Sequence, residues 1–128
     1  MKSKYIVLTG SIGVCLAVVF GAFGSHLLKN VLDVNQLNSY EIGVRYLVYH
    51  SLAFLFLGIQ NLLSTTKTMQ VFAMMSVGIA LFTGSLLCLT LKNFIPFSIQ
   101  WMVFLTPIGG TVLIASWLLF AAYLIKIK

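Results

Sequence analysis

The sequence predicts an all-α fold: a bundle of four transmembrane helices with an amphipathic interfacial segment between helices one and two. Two observations carry this. The first is composition: 60% of the 128 residues are hydrophobic and 8% charged, where soluble domains run at ~45–50% apolar and ~25% charged. The second is spacing. The eight basic and two acidic residues divide the chain into uncharged runs, and a helix needs ~20 mainly apolar residues to cross ~30 Å of hydrocarbon. So small a chain could not hide that much apolar surface in water, which excludes a soluble enzyme, a disordered tail and a DNA-binding domain. The net charge of +6 comes from scattered single basic residues, with no stripe of the kind nucleic acid requires.

The runs give the helices in order. Tyr5–Leu28 lies between Lys4 and Lys29, Tyr46–Thr66 between Arg45 and Lys67, and Thr68–Leu91 between Lys67 and Lys92. Each is one span long. Asn93–Ile125 is too long for one span and too short for two; its opening, Asn93-Phe94-Ile95-Pro96-Phe97-Ser98, reads as an aromatic interfacial loop. The predicted spans are 5–26, 40–63, 69–91 and 99–125, in one membrane domain covering residues 1–128. Each helix satisfies its own amides and carbonyls in lipid. With the N-terminus inside, the inner side carries Lys2, Lys4, Lys67, Lys126 and Lys128, and the outer side Lys29, Arg45 and Lys92. That bias predicts a plasma or inner membrane protein with both termini cytoplasmic.

The first apolar stretch is long for a signal-peptide core, so helix one is expected to be retained. Val14 before Cys15 makes a poor lipoprotein box. Cys15 and Cys88 fall inside spans as small apolar residues, with neither metal spacing nor an expected disulfide.

Between helices one and two, Leu27, Leu28, Val31, Leu32 and Val34 share a helical face opposite Lys29, Asn30, Asp33 and Gln36. This predicts an amphipathic segment along the outer membrane surface, with Lys29 and Asp33 spaced to pair. Asn38 with Glu41 three residues on resembles a capping box, which starts helix two near Tyr40. Glu41 and Arg45 then sit near the interface, four apart, as an ion pair pinning the helix end; the sharper reading is a substrate or ion site.

Gly10, Gly13, Ala17, Gly21 and Gly24 fall within about an 80° arc of helix one. A stripe without side chains lets another backbone approach closely, within the bundle or between copies in a homo-oligomer. Looser stripes are Ser76, Ala80, Thr83 and Gly84, and Thr106, Gly109 and Gly110. Pro107 followed by Gly109 and Gly110 predicts a kink in helix four. His26 ends helix one and His50 lies within helix two, sharing a face with Tyr46. His50 points about 180° from Glu41 around that helix. Two histidines without a third convergent ligand make no metal site. The expectation is that each bonds a backbone carbonyl or tyrosine, with no metal, cofactor or catalytic group.

Four motifs come one per helix: Gly-Ala-Phe-Gly-Ser-His (21–26); Tyr-Glu-Ile-Gly-Val-Arg-Tyr with Tyr-His (40–46, 49–50); Thr-Gly-Ser-Leu (83–86); and Thr-Pro-Ile-Gly-Gly (106–110). In that order the chain resembles the YgdD/YwdK-like family of small four-helix bacterial membrane proteins, over nearly its whole length. Ser25 stands where that family has Ala. The resemblance implies a multi-pass membrane fold without an established activity, and His26, Glu41, Arg45, Tyr46 and His50 match its polar motif positions. Three functional classes follow in order. The first is a non-enzymatic membrane or envelope component acting through helix packing or partner binding. The second is an oligomeric transport or channel unit around the Pro107–Gly110 kink. The third is a membrane enzyme using His26, Glu41 and His50, weakened by the lack of a nucleophile–base pair.

Overall fold

The computed structural model describes residues 2–127, in four long helices: α1 (Lys2–His26), α2 (Val34–Ile59), α3 (Thr65–Thr90) and α4 (Leu105–Ile125). All four are long and apolar enough to cross a membrane, and no strand occurs among the described residues. Lys128 and the side chain of Lys2, two of the five inner charges, lie outside the described residues. Each helix packs on the next in the chain, and α3 also touches α1. The core sits between the middle of the bundle and the end with the α2–α3 turn, where Ile6, Phe54, Leu57, Val71, Met75, Ile79 and Leu113 meet.

Lipid tails are as apolar as these side chains, so close packing and hydrogen bonds must hold the helices together. The α1 stripe supplies closeness against α2. A Cβ on Gly10 would stand 2.7 Å from the Ser51 carbonyl oxygen, and one on Gly13 would overlap Ser51 Oγ. Ala17 is buried, and Gly24 lies under the Tyr40 ring. Only Gly21 is open, its nearest neighbour Val44 Cγ1 at 4.0 Å from a built Cβ. Four of the five stripe positions are thus covered within one chain.

Helix boundaries differ from expectation at three places. First, α2 begins at Val34, six residues early. Asp33 Oδ1 accepts from the Gln36 amide at 2.8 Å, and Gln36 Oε1 accepts from the Asp33 amide at 3.2 Å. This Asp-x-x-Gln box pre-empts Asn38 and Glu41, which lie inside the helix.

Second, the amphipathic segment is therefore not one helix. It is a 3₁₀ turn (Leu28–Asn30), a break, and the first turns of α2. Its apolar face divides, with Leu32 buried and Leu27, Val31 and Val34 exposed. Lys29 and Asp33 lie across the break and form no ion pair.

Third, α4 begins at Leu105 after a 3₁₀ segment, Gln100–Phe104. Pro107 then falls in the first α-helical turn, directly after the 3₁₀ segment, so the ring sits where the tighter helix passes into the α-helix. The glycines after it face α3. Gly109 seats α4 on the Phe82 backbone, and Gly78 in turn admits Leu113, with 2.7 Å from a built Cβ to Leu113 Cδ2.

At the opposite turn, Gln60 closes the connection between α2 and α3. Its Oε1 accepts from the amides of Leu62 at 2.7 Å and Leu63 at 3.0 Å, and its Nε2 donates to Thr68 Oγ1 at 3.1 Å.

Candidate functional site

The five polar positions do not form one cluster, because His26 ends α1 and α2 carries the other four on two sides. Tyr46 and His50 face α3 and α4. Their rings lie 6.0 Å apart and inclined by 22°, as residues one turn apart on a helix allow. The Tyr46 ring rests on Phe82 of α3 at 4.6 Å. His50, 5% exposed, has both ring nitrogens engaged. Nδ1 lies 2.8 Å from the Tyr46 carbonyl oxygen, and Trp117 Nε1–H of α4 donates to Nε2 at 3.2 Å. An indole N–H only donates and a carbonyl only accepts, which assigns the proton to Nδ1 and makes the ring neutral. The carbonyl partner was expected; Trp117 was not. The sequence signal for it is a tryptophan deep in a span, away from the interfaces where its N–H would meet water.

These residues border a groove of about 400 Å³ on the flank of α3. Tyr46 and His50 form its α2 wall, Phe82 its floor, and Gly110, Ile114 and Leu118 part of its α4 wall. The absent side chain of Gly110 leaves the wall low. Ile114 and Leu118 are exposed, so the groove opens sideways. No carboxylate, lysine or arginine lines it, and its polar side chains are Tyr46, His50 and Trp117.

Glu41 and Arg45 occupy the other side of α2. With Gly21, Gly24, Ser25 and Tyr40 they line a cleft of about 200 Å³ between α1 and α2. Both are exposed, and neither has an ion-pair partner within 4.0 Å among the described residues, so the expected Glu41–Arg45 pair is not formed. His26, exposed at the end of α1, borders neither space. Among the described residues no three His, Cys, Asp or Glu side chains gather as a metal site requires.

The four motifs meet pairwise between helices. Tyr40 Oη donates to the Phe20 carbonyl at 2.9 Å, tying α2 to α1. Thr83 Oγ1 donates to the Gly43 carbonyl at 3.0 Å, tying α3 to α2. Ser85 and Thr106 hydroxyls share a 2.7 Å bond between α3 and α4, beside the Gly109 contact.

Residues 20–110 match the family described as "Protein of unknown function (DUF423)". The chain belongs to the DUF423 family. A UPF0382 membrane protein of Staphylococcus saprophyticus is 33% identical over 97% of this chain and 99% of its own. The UPF0382 inner membrane protein YgdD of Escherichia coli K12 is 27% identical over 100% of this chain and 95% of its own. A UPF0382 membrane protein of Haemophilus influenzae is 30% identical over 92% and 90%. No solved structure matches. The resemblance drawn from the four motifs therefore stands, and the DUF423 chain is a membrane protein of a family without an assigned activity.

Proposed function

We propose that this protein is a non-enzymatic membrane component that works by lateral association in the bilayer, with the α2–α4 groove holding a lipid acyl chain. One observation carries the reading: the motif hydroxyls and glycines tie helices together, and the α2–α4 groove, about 400 Å³, is mainly apolar and opens sideways. At the depth of Ile114 and Leu118 the surrounding solvent is hydrocarbon, so an acyl chain fills such a groove without a desolvation cost. A helix of another protein gains little there over lipid unless it brings close packing or hydrogen bonds. Transport would need a polar path, yet Glu41 and Arg45 lie on the far side of α2 and His50 already has both nitrogens bonded. The charge bias, five inner against three outer, supports an orientation with both termini in the cytoplasm.

The test is photolabelling in liposomes with a phospholipid carrying a mid-chain diazirine, followed by peptide mapping. Label is expected on the Phe82 and Trp117 segments. It should fall several-fold in Gly110→Leu, which fills the groove; a built Cβ there stands 3.6 Å from Phe82 Cδ2, so it adds no backbone clash. Labelling of Phe82 unchanged by Gly110→Leu would overturn the reading, as would cross-linking of the groove to a second copy or solute flux through the liposomes.

A further inference from the structure

Glu41 and Arg45 pose a separate question: why two opposite charges one turn apart, on the same side of α2, stand without a partner. Depth supplies the first part of the answer. Counting about 20 residues back from Ile59 for the hydrocarbon thickness puts its far boundary near Tyr40. The preceding turn, Asn35, Gln36, Asn38 and Ser39, is polar and projects beyond it. Glu41 is then level with lipid headgroups. Arg45 is one turn deeper, its side chain tilted toward the helix N-terminus and so outward to the same level.

The second part is shape. Gly21 presents no side chain, and the space above it is open to Val44 Cγ1, 4.0 Å from a built Cβ. Tyr40, held by its bond to the Phe20 carbonyl, closes the cleft floor against Gly24. Ser25 Oγ donates back to the Gly21 carbonyl at 3.1 Å, which leaves its lone pairs as acceptors in the cleft. A cation, an anion and a hydroxyl acceptor thus border about 200 Å³ at headgroup depth.

We propose that the α1–α2 cleft binds the headgroup of a zwitterionic phospholipid with a primary ammonium, its phosphate on Arg45 and its ammonium on Glu41 and Ser25. Guanidinium and phosphate match in bidentate geometry. A primary ammonium offers three N–H donors, enough for Glu41 and the Ser25 hydroxyl together. A choline headgroup has no N–H to give, and a glycerol headgroup leaves Glu41 facing phosphate without a cation. The cleft therefore selects phosphoethanolamine over both. This site lies across α2 from the acyl groove and stands or falls independently of it.

The experiment is native mass spectrometry of the full, delipidated chain titrated with phosphatidylethanolamine, phosphatidylcholine and phosphatidylglycerol of identical acyl chains. The wild type should take up phosphatidylethanolamine at about tenfold lower concentration than the other two, the factor one charged hydrogen bond supplies. Glu41→Gln should bring phosphatidylethanolamine and phosphatidylcholine level. Arg45→Gln should weaken all three. Gly21→Leu, which keeps both charges and fills the cleft, should also remove the preference. Equal uptake of the three lipids by the wild type overturns the proposal, and so does a preference that survives either Glu41→Gln or Gly21→Leu. Should Arg45→Gln not fold, those two variants decide the matter.

Discussion

The two sides of α2 treat polar groups in opposite ways. Toward α3 and α4 two deep groups find partners inside the protein: Gly43 O takes the Thr83 hydroxyl, and His50 holds both the Tyr46 carbonyl and Trp117. Toward α1 the helices first touch backbone to side chain, at Gly10, Gly13 and Ser51, then part over Gly21 and leave Glu41 and Arg45 exposed. Depth explains the contrast. An unpaired polar group in hydrocarbon costs several kcal/mol, so the deep side must satisfy itself, while the shallow end of the other side borders headgroups and water. One helix thus carries a side that bonds its buried histidine inside the protein and a side whose end is open to the surroundings.

The largest effect is expected where α1 touches α2. Gly13→Leu places atoms on Ser51 and should lower stability by about 3 kcal/mol in detergent-driven unfolding followed by circular dichroism. Gly84→Ala, whose added methyl meets nothing within 4 Å, is the matched control and should leave the transition in place. If both variants unfold alike, the close contact does not hold the pair. On the deep side, His50→Leu strands the Trp117 N–H and should cost about 1–2 kcal/mol. Adding Trp117→Phe should recover part of that, giving a coupling of about 1 kcal/mol in a double-mutant cycle. Strict additivity would mean the bond contributes nothing, and the contrast between the two sides would lose its main support. Thr83→Val is the mildest change. It frees the Gly43 carbonyl, which keeps its own helical bond, and should cost about 0.6 kcal/mol; a loss several times larger would make this tie the principal link between α2 and α3.

The number of helices was legible because each charge costs so much in hydrocarbon that its position marks a span end. Helix starts were less legible, because two capping sequences compete at 33–36 and 38–41 and periodicity alone does not choose between them. The same limit applies to Pro107, whose place in the first α-helical turn depends on where α4 starts. The glycines of α1 and α4 do the same work, and both showed as stripes of small residues, the five of α1 more clearly than Thr106, Gly109 and Gly110. At the candidate site, the opposition of Glu41 and His50 followed from 100° per residue along one helix. The bond to Trp117 did not, because it joins residues 67 apart in sequence.

The turn around Gln60 bears on how the chain enters a membrane. A single side chain takes two amides of the bend, those of Leu62 and Leu63, and holds Thr68 as well, so α2 and α3 form a hairpin whose tip carries its own hydrogen bonds. Such a hairpin can cross the bilayer as one body, with Lys67 just behind the tip as the charge that marks its end. α1 and α4 then have a finished template to dock on, one along each flank. Assembly order would follow from the shortest connection in the molecule, with the glycine contacts closing last.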